Sequence, residues 1–316
     1  MGNRLDGRVV IVTGAGRGIG AEVAKWMAAD GASVVVNDLG GSLDGMGDSS
    51  APAEVVAQEI RDAGGTAIAN FDSVAEYESA GRVVQSAIDN FGRVDALCHV
   101  AGILRDRMVF NMTETEWDGV LSVHLYGAFN MVRNCVPHMM DQKYGRIVLF
   151  SSGSGLGASG QANYAAAKEG MVGFARSLSK ELAPHGITVN AVYPGGATRM
   201  TESIPDSTTQ LRQQQRAQAQ PAPMAAQGAP IEGPPEARDP ANNAPKTVYL
   251  CSEAAGDITG QVVGVSGWQA TLYSPRHVIR SIHKDGRWSL DELDDLIPIS
   301  LGSDLINPVP EQPPRQ

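Results

Sequence analysis

The chain has 316 residues, enough for one large domain or two modest ones, and either size buries a real core. Hydrophobic residues make up 42% and charged residues 19%; with strand-like segments alternating with helix-like ones, this excludes wholesale disorder and points to an α/β globule. A formal net charge of −10 argues against a nucleic-acid groove and against an anionic membrane as general partners. No stretch approaches the roughly 20 apolar residues of a membrane span, Met1 to Leu5 is no signal peptide and Glu311 to Gln316 holds no peroxisomal tripeptide, so the cytoplasm is the expected compartment. Cys98, Cys135 and Cys251 lie far apart in apolar surroundings, which predicts buried thiols and no metal site.

The first element is a short buried strand, Arg8 to Thr13, followed at once by Gly14-Ala15-Gly16-Arg17-Gly18-Ile19-Gly20 and a helical stretch, Ala21 to Ala29. Strand, glycine turn and helix in that order make a dinucleotide-binding beginning. Glycines permit the tight turn and close approach of a pyrophosphate, whose charge is met by amides at the helix start. The spacing Thr13-Gly14-xxx-Gly18-x-Gly20 resembles that of the short-chain dehydrogenases/reductases. The resemblance implies a single Rossmann-like, doubly wound parallel sheet flanked by helices, with Gly14, Arg17, Gly18, Ile19 and Gly20 at the cofactor. A second strand, Ser33 to Asn37, ends at Asp38, where a carboxylate accepts hydrogen bonds from the adenosine ribose and repels a 2′-phosphate. That favours NAD over NADP. Arg17 pulls the other way, since a basic residue in this loop often accompanies NADP in the family; a like-charge clash is harder to tolerate than an idle arginine, and NAD stays ahead.

The loop Leu39 to Ser50 is glycine-rich and longer than an ordinary βα connection, a mark of a functional loop. A helix (Ala53 to Ala63) and a strand (Thr66 to Asn70) lead to Phe71-Asp72-Ser73-Val74. There the resemblance implies an adenine contact from Asp72 and a backbone contact from Ser73, against the plainer reading of Asp72 as a turn cap. The fourth strand, Arg93 to His99, runs into Val100-Ala101-Gly102. His99-Val100 replaces the two asparagines of the family's Asn-Asn-Ala-Gly; Ala101 and Gly102 keep their place beside the cofactor, and His99 is expected to be structural. Thr113 and Glu116 form a capping box that opens a helix reaching about Asp141, which Pro137 bends or ends locally. Within it His124 stands where the family usually carries an asparagine supporting a water chain from the active-site lysine. An imidazole donates and accepts, so His124 fits a relay, with a plain core histidine as the alternative.

After a fifth strand, Gly145 to Phe150, come Ser151-Ser152-Gly153-Ser154 and then Tyr164-Ala165-Ala166-Ala167-Lys168. On a helix, positions i and i+4 share a face, so the phenol of Tyr164 and the ammonium of Lys168 can meet in one pocket, the cation lowering the phenol's pKa. A serine hydroxyl opposite can hydrogen-bond a substrate oxygen as charge develops on it. These three groups suit carbonyl–alcohol redox chemistry, with Tyr164 exchanging the hydroxyl proton and Lys168 also anchoring the nicotinamide ribose. Counting along the strand from Arg146 selects Ser152 and counting back from Tyr164 selects Ser151; strand register fixes side-chain direction, and Ser152 is the expected residue. A sixth strand, Gly186 to Val192, leads to Pro194-Gly195-Gly196-Ala197-Thr198, which resembles the family's loop around the nicotinamide, with Pro194, Gly195 and Thr198 at the cofactor.

Asn37-Asp38-Leu39-Gly40-Gly41, Asn70-Phe71-Asp72-Ser73-Val74, Gly102-Ile103-Leu104-Arg105-Asp106-Arg107, Val123-His124-Leu125 and Gly160-Gln161-Ala162-Asn163-Tyr164 together look like the (3R)-hydroxyacyl-CoA dehydrogenase domain of peroxisomal multifunctional enzyme type 2. This implies a 3-hydroxyacyl or 3-oxoacyl thioester substrate and a homodimer or homotetramer built through the long helices. A hydroxysteroid-type dehydrogenase and a redox-inactive NAD sensor are the alternatives. The Rossmann domain is expected over 1–273, interrupted by a flexible Gln/Ala/Pro-rich insertion, 202–245, read either as a substrate lid or as a passive or partner-recruiting segment. Thr247 to Cys251 reads as a short helix and Gln261 to Val265 as the last strand. A tail, 274–316, follows, with a short helix around Trp288 to Leu293.

Overall fold

The computed structural model describes residues 2–198 and 234–303. They fall in two compact units, 2–198 with 234–273, and 274–303. The larger unit is built on an eight-stranded sheet: β1 Val9–Thr13, β2 Ser33–Asn37, β3 Thr66–Asn70, β4 Ala96–His99, β5 Gly145–Phe150, β6 Ile187–Tyr193, β7 Val262–Gly264 and β8 Thr271–Leu272. Their order is β3-β2-β1-β4-β5-β6-β7-β8. All neighbours run parallel except β8, which returns antiparallel to β7. The order reverses between β1 and β4, and in open α/β sheets the crevice beyond the carboxyl ends at such a switch point is where ligands bind.

The strands are short β-branched runs because both faces of the sheet are covered. Along β1, Val10 and Val12 point into one apolar layer and Val9 and Ile11 into the other. The first layer is completed by α1 Gly18–Ala29, α2 Ala51–Asp62 and α7 Ala244–Cys251; the second by α3 Tyr77–Phe91, α5 Gly127–Gln142 and α6 Ala162–Leu182. Each fully buried Val, Leu or Ile contributes about 1.5–3 kcal/mol relative to exposure. A one-residue slip of any central strand would exchange the two layers.

The expected single helix from Thr113 to about Asp141 is built in three pieces. The capping box of Thr113 and Glu116 is formed and starts α4 Glu114–Leu121; a π-turn, Ser122–Tyr126, follows, and α5 continues through Pro137 to Gln142. The helix therefore neither ends nor restarts at Pro137. Helix α3 is not among the expected elements, although Ala80, Val83, Val84 and Ala87 recur at helical spacing and form its buried face; the short strand β8 is visible only in the pairing of Val263 with Leu272 and Gly264 with Thr271. Residues 234–245, expected to belong to a flexible insertion, form regular turns. Pro235–Arg238 and Pro240–Asn243 are 3-10 turns, and Ala237, Asn243 and Ala244 are buried. Proline at the first turn of each piece pre-sets the backbone, and Asp239 caps the amide of Ala241, so this composition produces order. The rest of that segment, 202–233, read above as either a lid or a passive or partner-recruiting insert, lies outside the described residues.

Cys98, Cys135 and Cys251 are free and buried, and the sulfurs of Cys98 and Cys251 lie 3.6 Å apart. Among the described residues there is no helix long and apolar enough to cross a membrane and no cluster of side chains able to hold a metal ion. In the smaller unit, α8 Leu290–Ile299 starts from a capping box of Ser289 and Glu292. Lys284 reaches Glu292 at 2.6 Å and, with the capping contacts, holds its carboxyl down at about 2.

Candidate active site

The carboxyl ends of β1, β2, β4, β5 and β6 open on one cavity of ≈ 420 Å³. Every residue singled out above lines it: Gly14, Arg17, Gly18, Ile19, Gly20, Asp38, Asp72, Ser73, Ala101, Gly102, His124, Ser152, Tyr164, Lys168, Pro194, Gly195 and Thr198.

At one end stands the glycine turn. Gly14 has φ +66°, and a Cβ there would fall 2.7 Å from the backbone of Ala101; one on Gly20 would fall 2.1 Å from the carbonyl oxygen of Gly14. The turn therefore closes tightly against β4 and its own helix, and the first turn of α1, whose amides have no intrahelical partner, forms cavity wall. Asp38 is fixed from two sides: the amide of Gly16 donates to Oδ2 at 2.8 Å and that of Gly40 to Oδ1 at 2.7 Å. Each oxygen keeps a lone pair for a further donor. Arg17 is exposed and its Nη1 donates to the carbonyl of Gly41 at 3.4 Å. Asp72 also lines the cavity, but its carboxylate is already engaged by Arg82 Nε at 2.7 Å, Asn70 Nδ2 at 3.0 Å and, more weakly, Ser79. It is thus both turn anchor and cavity wall. Ser73 Oγ accepts the amide of Ala75.

At the other end, hydrogen bonding decides between the serines. Both line the cavity, but Ser151 is buried and its hydroxyl is spent on the carbonyl of Lys168 at 2.7 Å, whereas Ser152 Oγ accepts the amide of Ser154 at 3.1 Å and acts on the Tyr164 phenol, lowering its pKa. Lys168 is buried, its ammonium donating to the carbonyl of Phe150 at 2.5 Å and lying 5.4 Å from the centre of the Tyr164 ring. Burial brings the lysine down to about 7. Tyr164 moves opposite to expectation: burial, reinforced by the charge of Asp106 and only partly offset by the Ser152 contact, pushes the phenol up to about 12. A neighbouring cation loses this contest because its own charge is disfavoured in the same apolar wall.

The two histidines divide structural and cavity roles. His99 is fully buried; its Nε2 donates to the carbonyl of His124 at 3.3 Å, which leaves Nδ1 to accept from Thr13 Oγ1 at 3.0 Å. Burial and the charge of Lys168 push it down to about 3, so it is a neutral tie between β1, β4 and the π-turn. His124 lies in that π-turn, its ring edge-on to Tyr164 with centroids 5.1 Å apart. Its Nε2 meets the backbone of Ile103, 2.8 Å from the carbonyl and 3.0 Å from the amide, while Nδ1 has no partner among the described residues. The ring packs on Gly102, where a Cβ would fall 2.2 Å from Cε1.

A family profile described as short chain dehydrogenase matches residues 8–209, more than half of the chain. The chain belongs to the short-chain dehydrogenases. Peroxisomal multifunctional enzyme type 2 of Drosophila melanogaster is 40% identical to it over 292 residues, covering 92% of this chain and 43% of that protein. A hydroxyacyl-CoA dehydrogenase of Mycobacterium tuberculosis is 36% identical over 299 residues, covering 92% of this chain and 87% of that one. The crystal structure of a short chain dehydrogenase from Mycobacterium avium superposes with a TM-score of 0.78 at 37% identity, covering 99% of this chain and 98% of that one. The chain spans less than half the length of the multifunctional relatives it matches.

As a short-chain dehydrogenase the chain is an oxidoreductase acting on CH–OH groups, in a family that binds NAD or NADP as a class. Sequence reading missed two supports of this dehydrogenase site. Asn243, fully buried, donates to the carbonyl of Gly195 at 2.8 Å and accepts its amide at 3.1 Å, holding the loop after β6. Leu43 and Gly45 of the loop after β2 line the cavity together with Ile103. An asparagine among prolines and a leucine among glycines carry no periodic signal; only the loop's unusual length marked it.

Proposed function

We propose that the protein interconverts a 3-hydroxyacyl and a 3-oxoacyl thioester using NAD. The observation that carries this is the meeting of Ser152, Tyr164 and Lys168 in the same cavity that holds Asp38 and the glycine turn. The names of relatives, a multifunctional peroxisomal enzyme and a hydroxyacyl-CoA dehydrogenase, support the acyl thioester.

NAD over NADP rests on Asp38. Both its oxygens are held by backbone amides, so the carboxylate cannot swing aside for a 2′-phosphate and instead offers its remaining lone pairs to ribose hydroxyls. The glycine turn and the start of α1 would receive the pyrophosphate, Ala101 and Gly102 the cofactor's inner flank, and Pro194, Gly195 and Thr198 the nicotinamide end. When bound, the nicotinamide ring supplies the two-electron acceptor or donor. Ser152 donates to the substrate oxygen, and Tyr164, which carries its proton at neutral pH, delivers it to that oxygen during ketone reduction. In the reverse direction the phenolate takes the hydroxyl proton, and a charged Lys168 lowers the cost of that form. His124, with one ring nitrogen unpartnered at the cavity wall, suits a relay behind Tyr164. The catalytic unit is then 1–273, acting in the cytoplasm as a homodimer or homotetramer.

The test is the change in NADH and NADPH absorbance on an acetoacetyl thioester, for wild type and Tyr164→Phe in parallel. NADH oxidation that vanishes in the variant is expected. NADPH preference would overturn the role of Asp38 and promote Arg17; no turnover with either nucleotide would sink the substrate class. For the relay, His124→Ala is expected to lower turnover about tenfold; unchanged turnover with intact folding rejects it.

A further inference from the structure

We infer that Arg105 is a positioning residue whose side chain ties the loop at the cofactor end of the cavity to the start of α4, and so sets how tightly the dinucleotide is held. The ligand in this inference rests on the function proposed above.

The loop 39–50 contributes Leu39, Gly41, Ser42, Leu43 and Gly45 to the cavity wall. It closes on itself, the amide of Ser49 donating to the carbonyl of Leu39 and that of Ser42 to Met46, both at 2.9 Å. It docks on the segment after β4. The amide of Leu104 donates to the carbonyl of Leu43 at 2.9 Å, Ile103 packs where a Cβ on Gly45 would come within 3.0 Å, and Arg105 Nε donates to the carbonyl of Asp44 at 2.8 Å.

The same guanidinium reaches the other way. Its Nη1 donates to the carbonyl of Thr115 in the first turn of α4 at 2.9 Å and lies over Gly119, where a Cβ would fall 2.6 Å away. The carbonyl of Arg105 accepts Asn163 Nδ2 at 3.0 Å, and Asn163 Oδ1 accepts the amide of Tyr164 at 2.8 Å. Asn163 is fully buried, and its Nδ2 also donates to the carbonyl of Glu116. The side chain of Arg105 therefore joins the loop to α4, while its main-chain carbonyl, which a substitution keeps, meets Asn163 beside Tyr164. A fork of donors can span two carbonyls that a single ammonium cannot. Arg107, the next arginine along, is committed elsewhere, pairing with Glu116 at 2.9 Å.

The experiment uses the full chain and NAD alone, without turnover. Arg105→Ala is expected to weaken NAD binding in calorimetric titration about tenfold, the loss of charge-assisted hydrogen bonds that order the wall. Arg105→Lys should recover at most about threefold of that loss, since the charge and one donor survive but a single ammonium cannot hold both carbonyls, and Arg107→Ala should stay within about twofold as an exposed charge. Without nucleotide, amide hydrogen exchange in Arg105→Ala should quicken over residues 39–50 and in the first turns of α4. Faster exchange with unchanged NAD affinity overturns the positioning role, and so does an equal loss in Arg107→Ala, which would make the effect one of surface charge. A fall in melting temperature with affinity intact reduces Arg105 to a structural residue. Wild-type protein that binds no NAD refutes the proposed function, while slow exchange in wild type and fast exchange in the variant would still support the tie itself.

Discussion

The two ends of one sheet are built on opposite terms. At the amino end nearly every charge has a partner. Asp95, buried beneath β1 and β4, accepts the amide of Val9 at 2.9 Å, Arg8 Nη1 at 3.1 Å and a bidentate fork from Arg93 at 2.6 and 2.7 Å. Tyr144 lies between the guanidinium groups of Arg8 and Arg146, 3.8 and 4.4 Å from its ring centre, and Arg146 donates in turn to the carbonyl of Ser252. At the carboxyl end, groups are held against their ordinary chemistry: Lys168 down at about 7, Tyr164 up at about 12, His124 with an unpartnered nitrogen. One end is paired almost throughout, the buried hydroxyl of Thr188 being an exception, and the other is left unsatisfied where chemistry is proposed to occur.

Substitutions at the two ends should therefore separate activity from stability. Tyr164→Phe should lower kcat about 10³-fold with little change in melting temperature, since the ring stays and only the proton donor goes. Ser152→Ala should cost about 10²-fold in kcat, the loss of one donor to a developing oxyanion, while Ser151→Ala stays within about threefold; a greater loss with Ser151 would reverse the assignment. Asp95→Asn should do the opposite. It keeps an acceptor for Val9 but strips the charge from beneath two arginines that are themselves partly exposed, so a loss of about 2 kcal/mol is expected, a fall in melting temperature of about 4–8 °C, with kcat unchanged. An activity loss in Asp95→Asn at full folding would erase the contrast between the ends.

The same contrast extends to pH dependence. The pKa of Lys168 is near 10.5 in the unfolded chain and about 7 in the folded protein, so between these values the unfolded state binds the extra proton. Stability should accordingly rise with pH from about 7 towards 10 through this group, and this rise should be absent in Lys168→Met, as melting temperatures across that range would report. Above about 10 the raised phenol of Tyr164 reverses the sign, because there the folded state holds the proton that the unfolded chain has lost.

What was legible in the sequence was local. The glycine turn, the Tyr164–Lys168 spacing, Asp38 at a strand end and the capping box at Thr113 each act over a few residues, whereas Ser151 and Ser152 both lie past the end of β5 and both line the cavity, so their hydrogen bonds separate them where register does not. What was not legible spans the chain. The contact of His99 with Thr13 joins residues 86 apart, and that of Asn243 with Gly195 joins residues 48 apart. No period marks either. The raised pKa of Tyr164 was missed for a related reason: spacing shows that a cation is near, whereas the balance between its field and desolvation depends on how deeply both groups are buried. Composition misled in one place, at residues 234–245, where prolines start turns that end in a buried asparagine.

The three buried thiols give the protein an internal clock. Cys98 on β4, Cys135 on α5 and Cys251 at the end of α7 are each at most 1% exposed; the contact with Cys251, together with burial, raises the pKa of Cys98 above that of a free thiol, and burial alone raises that of Cys135. An alkylating reagent can reach them only through opened molecules, so the rate at which each is capped measures how often its own layer comes apart. Three thiols, two of them on helices at opposite faces of the sheet, would show whether the layers open together or one before the other.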